Sequence, residues 1–134
     1  MKPKSTRIPI RCAYNELADP ARLKPHPKNP NRHPEEQLKR YQAVVRRQGF
    51  RRACVVSKRS GFIIMGHGLV EVAHRLGVKV PVDYQEFKTE REELAQLVAD
   101  RHIPELADFD TNAALQLLAD FPADDLDLAG YTAD

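Results

Sequence analysis

Between residues 34 and 49 the apolar positions Leu38, Tyr41, Val44 and Val45 recur at helical spacing, with Lys39, Arg40, Arg46 and Arg47 among the remaining positions. Pro34 suits the first position of a helix, Glu35 and Glu36 suit its positive end, and Gly49 stops the run. The pattern predicts an amphipathic helix over Pro34–Gln48. The rhythm then changes. Ala53–Ser57 and Phe62–Met65 are β-rich runs around Lys58–Gly61, which reads as a hairpin turn. Gly66-His67-Gly68 follows directly. Leu69, Val72, Ala73 and Leu76 then stand at i, i+3, i+4 and i+7, a second helix face ended by Gly77, and Val78–Phe87 returns as a strand.

Thr89 with Glu92 three residues later forms a capping box, opening a helix that Pro104 is expected to close. Asp110 or Thr111 caps a last helix through about Phe121, and the tail Asp124–Asp134 is expected to hook back through Leu126, Leu128 and Tyr131. Seven of the ten prolines fall in the first 34 residues, where each fixes φ and biases its predecessor towards extended backbone. That segment reads as an irregular arm with one strand near Ile8–Cys12. Within it, Lys24–Arg32 reads as a stiff basic loop of exposed donors, with His26 and His33 solvated. The expected fold is α/β (α+β): a small mixed sheet with helices, followed by two C-terminal helices. Residues 1–13 form a basic arm, 14–88 the core domain, and 89–134 an acidic helical extension packed on the core.

Length and composition add limits. At 134 residues, one compact domain is the default. No apolar run approaches the ~18 residues that cross a bilayer, and no apolar segment follows the basic start, so a cytoplasmic location is expected. Cys12 and Cys54 lie 42 positions apart, neither a disulfide framework nor a zinc or redox spacing. Their reading is two buried or indifferent thiols. His67 and His74 are two helical turns apart without a matching carboxylate, so no metal site is expected. Asp19, Asp83 and Glu86 read as charges on strand edges.

The net charge of +2 conceals a division. Residues 1–60 carry 16 Lys/Arg against 4 Asp/Glu, and residues 61–134 carry 5 against 15. The basic half suggests a surface that tracks a phosphodiester backbone, through Lys28, Arg32, Lys39, Arg40, Arg46, Arg47, Arg51 and Arg52. The other reading of the same residues is a solvated helix face. Tyr41 and Phe50 are assigned to the core, so no platform for stacking single-stranded bases is expected. The acidic helices over Glu90–Phe121 would be repelled by DNA and are expected to pack on the basic half or on a partner.

The candidate chemistry lies at Ile63-Ile64-Met65-Gly66-His67-Gly68-Leu69, a strand ending in a glycine turn and entering a helix. Glycines let the backbone approach a ligand, and the free amides at a helix start favour an anion. His67 stands where it could donate to a phosphate or exchange a proton. A plain turn has the same spacing.

Three features in this order resemble the ParB/sulfiredoxin superfamily. They are the loop Pro27-Lys28-Asn29-Pro30-Asn31-Arg32 before a helix, then Gly49-Phe50 with a Val-Val strand, then the Ile-Ile-x-Gly turn into a helix ending Leu76-Gly77 before Val80-Pro81-Val82. The Gly-His-Gly form resembles ParB-like (ParB-like nuclease) domains of phage and mobile-element proteins, often N-terminal parts of DNA-modification methyltransferases. Leu97-Val98-Ala99-Asp100-Arg101-His102-Ile103, Ala107-Asp108-Phe109-Asp110 and Leu126-Asp127-Leu128-Ala129-Gly130-Tyr131 are similar to that branch's helix end and closing segment. The resemblance covers about residues 14–131.

It implies a DNA-binding accessory domain of a phage or DNA-modification system, with a nucleotide or phosphate site at Gly66, His67, Gly68, Asn29, Arg32 and Arg101. His67 would be the catalytic residue if there is one, a nucleotide triphosphate with Mg²⁺ the implied ligand, and a methyltransferase the implied partner or fused domain. Oligomers are also implied. Three departures matter. The family's phosphate-reaching arginine is Leu69 here, a loss of a charge-assisted bond of roughly 1.5–3 kcal/mol. The sulfiredoxin cysteine is His67, and the chain has no methyltransferase motif. Two alternatives stay open: an enzyme (nucleotide hydrolase, small-molecule kinase or nuclease), and an interaction module whose opposite charges pair between subunits.

Overall fold

The computed structural model of the chain describes residues 7–131. Its centre is a five-stranded sheet in the order β1-β5-β3-β4-β2, built from β1 (Glu16–Ala18), β2 (Lys24–Pro25), β3 (Cys54–Ser57), β4 (Phe62–Met65) and β5 (Val80–Gln85). β3 and β4 form the antiparallel hairpin that the sequence predicts, and β5 returns parallel to β3 after a helical crossover. All four residues of β3 are buried, as a central strand covered on both faces requires.

The period of two divides these strands. Cys54, Val56 and Ile63 join the main core with α1 (Glu35–Gln48) and α2 (His67–Leu76), which contribute Leu38, Val45, Leu69, Val72 and Ala73. Val55, Ser57 and Ile64 are buried on the opposite face, where α3 (Glu90–Glu105) packs on β4 through Leu97 and Glu93. Glu93 is fully buried: the Ser57 hydroxyl donates to it, and Arg59 donates from Nε at 3.2 Å. Burial alone would raise its pKa, but the Ser57, Arg59 and Ser60 hydrogen bonds outweigh that and hold it below the usual carboxylate range.

Several expectations need correction. The strand near Ile8–Cys12 is a single parallel bridge, Ile10 to Phe50. The proline-rich segment instead supplies both edge strands, β1 and β2, with a 3-10 turn at Pro20–Arg22 capped by Asp19. Edge positions tolerate Pro25 because an absent amide there breaks no interior ladder. Pro34 is the cap of α1 rather than its first residue. Pro104 lies within the last turn of α3, which runs one residue further. The last helix ends early, as α4 (Thr111–Leu117), and the tail forms another, α5 (Ala123–Leu128), so three helices rather than two follow the sheet. Pro122 with Asp124 and Asp125 is a helix start whose signal the tail reading missed.

The tail does fold back. Leu126, Leu128 and Tyr131 are half-buried, and α5 lies against α1. Residues 132–134 and the basic start at 1–6 lie outside the described residues.

Candidate functional site: a polar pocket at the start of helix α2

Gly66 is the cap of α2 and adopts φ of 90°, in the left-handed region. A Cβ there would stand 2.9 Å from Cβ of Cys54, so both conformation and space require glycine. No side chain caps the helix. Gly68 is buried, and a Cβ on it would meet the His33 ring at 3.0 Å. The loop before α1 therefore lies directly on the first turn of α2. His33 is held in place by Gln37, with Nδ1 and Oε1 2.8 Å apart.

The loop expected to be exposed is internally bonded. The His26 ring is buried and tilts against Phe62, its Nδ1 accepts the Lys28 amide at 3.0 Å, and its own amide donates to Nε2 of His67 at 3.1 Å. Asn29 Oδ1 accepts the Asn31 amide, and Lys28 pairs with Glu90 at 2.7 Å, tying the loop to α3. His26 and His33 are thus packed parts of the structure, not solvated ones. The contacts that tie them to β4 and α2, His26 with Phe62 and His67 and His33 on Gly68, join residues 35 or more positions apart, so the lone histidines gave no sequence signal of them.

These elements enclose a pocket of about 190 Å³ lined by Asn29, Asn31 and His33 from the loop, Gln37 and Tyr41 from α1, Arg52, Gly66 and His67, with Asp100 and Arg101 from α3 over an apolar floor of Ile64 and Leu97. Four of the six residues singled out for a phosphate site, Asn29, Gly66, His67 and Arg101, meet here. Gly68 lies under His33, and Arg32 is exposed and does not line the pocket. Arg52, singled out for DNA, lines the pocket instead. Asn31, His33, Gln37 and Asp100 were not singled out. Asn31 and Asp100 had a sequence signal, in the Pro27–Arg32 loop and in the Ala99-Asp100-Arg101 element.

Two arginines, Arg52 and Arg101, and one carboxylate, Asp100, line the pocket. Arg101 donates from Nε to Asn31 Oδ1 at 3.2 Å and pairs with Glu105; Arg52 donates to the Tyr41 hydroxyl at 3.3 Å. Leu69 is 2% exposed and packed in the core. Burial, reinforced by the His33 and His26 charges, pushes the His67 pKa down to about 4. His67 is therefore neutral near pH 7. Because Nε2 accepts a hydrogen bond, the ring proton belongs on Nδ1. Asp100 is the single carboxylate lining the pocket, which fits the way Mg²⁺ is usually held, by one or two carboxylates and the ligand's phosphates. Among the described residues, no group of three His, Cys, Asp or Glu side chains could hold a metal ion.

The residues singled out for DNA divide into two groups. Arg40 pairs with Glu36 at 3.2 Å and with Asp127 at 3.6 Å, Arg47 with Asp125 at 2.6 Å, and Lys28 with Glu90. Arg51 donates to Gln48. Arg32 and Arg46 are exposed and make no ion pair among the described residues, and Lys39 is also exposed.

No protein-family model and no curated protein matches the chain. Among solved structures, it is similar to the C-terminally truncated chromosome-partitioning protein ParB from Caulobacter crescentus, complexed with CTP-γ-S. The TM-score is 0.62 at 21% identity, over 78% of this chain. The fold is ParB-like. The chain spans 62% of that structure's length. No helix among the described residues is long and apolar enough to cross a membrane.

Proposed function

We propose that this chain is a nucleotide-responsive DNA-binding module. On this reading the pocket at the start of α2 takes the phosphates of a nucleoside triphosphate, with Mg²⁺, and the basic face of α1 and its flanking loops lies on a DNA backbone. The observation that carries the proposal is the convergence of Asn29, His67 with Gly66, Arg52 and Arg101, from four separate segments, on one uncapped helix start. The ParB structure that shares the fold holds CTP-γ-S, which adds support.

The volume narrows the reading. About 190 Å³ is below the ~300–1,000 Å³ of sites that enclose a whole drug-sized ligand. The pocket suits a phosphate-bearing head group, with the rest of the nucleotide outside it. With Leu69 in the core, Arg52 and Arg101 are the cations for that head group. His67, neutral and occupied at Nε2, serves as a positioning contact through Nδ1–H rather than as a proton shuttle. Binding without rapid hydrolysis follows. The resemblance of the Gly-His-Gly turn and of the Ala99-Asp100-Arg101 element supports a role in a phage or DNA-modification system, beside a methyltransferase.

Calorimetry with CTP, ATP and S-adenosylmethionine, with and without duplex DNA, tests the proposal. A nucleoside triphosphate that binds and changes DNA affinity is the expected result. Heat from none of the three, in either condition, overturns it.

A further inference from the structure

The basic face of α1 does not stand open. Asp125 of α5 pairs with Arg47 at 2.6 Å, and Asp127 reaches Arg40 twice: its carboxylate at 3.6 Å, and its carbonyl, which accepts from Nη1 at 3.3 Å. Leu126, Leu128 and Tyr131 are half-buried beside these acids. The chain after Arg101 contains eight Asp/Glu and no Lys or Arg. α5 therefore carries no cations of its own that could satisfy its carboxylates, and the partners it finds are arginines of α1. The two carboxylates, two positions apart in the chain, each meet an arginine, and those arginines stand seven positions apart on α1, about two helical turns.

We infer that α5 is an intramolecular polyanion mimic that masks the α1 face, and that a nucleic acid must displace it to bind. The inference rests on the DNA-binding reading above and adds its regulation. The contact is suited to exchange rather than to stability. Exposed ion pairs contribute little and are screened by salt, and α5 has no fully buried residue to anchor it. A long polyanion presents many phosphates at once and outcompetes a helix that presents two acids.

The test uses the full chain, fluorescence anisotropy, and two probes, a short DNA duplex and heparin. In Asp125→Asn/Asp127→Asn the shape is kept and both charges are lost. A charge-matched control, Asp108→Asn/Asp120→Asn, removes two exposed acids that make no ion pair among the described residues. Unmasking predicts roughly 3- to 30-fold tighter polyanion binding by the first variant, from ~0.3–1 kcal/mol per lost pair, and a much smaller gain by the control. Hydrogen exchange in 123–128 of the wild type should also accelerate when polyanion is added. Equal gains by the two variants, or undiminished protection of α5 in the bound state, overturn the mask. So does a failure of every variant to bind either probe. Binding and unmasking by heparin with no binding of the duplex keeps the mask and rejects the DNA reading.

Discussion

The backbone amide of His26 donates to Nε2 of His67 across 3.1 Å, so a proline-rich loop is fastened to the first residue of α2 by a side chain 41 positions away. The bond needs a neutral imidazole. Protonation at Nε2 would set one donor against another inside a half-buried contact; burial, and after it the His33 and His26 charges, hold the group's pKa down.

A pH dependence follows. The folded pKa of His67 is about 4, below its ordinary value of 6.5, so between these values the unfolded chain binds more protons than the folded one. The contribution is fully present above pH ~6.5 and is lost as pH falls through about 4. Thermal melts from pH 7.5 down to 4 should show falling stability in the wild type. His67→Gln, which keeps an acceptor and does not titrate, should show a flatter profile, and identical profiles would contradict the assignment.

Gly66 and Gly77 make a second, differential test. Both have positive φ, but a Cβ at Gly77 meets nothing within 4 Å, whereas at Gly66 it meets Cys54 at 2.9 Å. Gly77→Ala should cost about 1–2 kcal/mol, the left-handed penalty alone. Gly66→Ala should cost visibly more in urea unfolding, and comparable costs would mean that the strand–turn–helix junction has slack.

Much of the architecture could be read in the sequence because it rests on local rules. The helical spacing in α1 and α2, the hairpin and the Thr89 cap each involve residues within a few positions of one another. Thr89 accepts the Glu92 amide at 3.1 Å, and Glu92 in turn accepts the Lys88 amide at 2.6 Å, one residue before the expected partner. The errors occur where distant contacts decide. β1 and β2 are too short to show a period, and exist because β5 and β4 offer them free edges. The pocket was half legible: glycines and an Ala-Asp-Arg element have motif value, but His33, Gln37 and Tyr41 acquire their meaning only when α1 is laid beside α2.

Glu93 shows the same limit, since it reads as one surface acid among several in α3 and is instead wholly buried. Glu93→Ala leaves the Ser57 hydroxyl and Arg59 without their shared acceptor. The unsatisfied group should cost about 1–3 kcal/mol by urea unfolding, with α3 the first element to lose hydrogen-exchange protection. An unchanged midpoint would mean that Leu97 alone holds α3 to the sheet.

If the α1 face tracks a nucleic-acid backbone, Arg46, which makes no ion pair among the described residues, is ready to contact a phosphate. Arg46→Ala should weaken duplex binding evenly across unrelated sequences and lower the salt slope by about 1. A loss confined to one DNA sequence would point instead to base reading.

We propose that the start of α2 receives an anionic head group. The most direct measurement is an ¹⁵N-resolved NMR titration of the wild-type chain with CTP and Mg²⁺, repeated with ATP. One of the two is expected to shift the amides of Gly66, His67 and Gly68 together with the side-chain amides of Asn29 and Asn31, and Arg101→Ala to weaken the effect. Saturating nucleotide that leaves those signals unmoved, or moves only signals remote from the pocket, would contradict it.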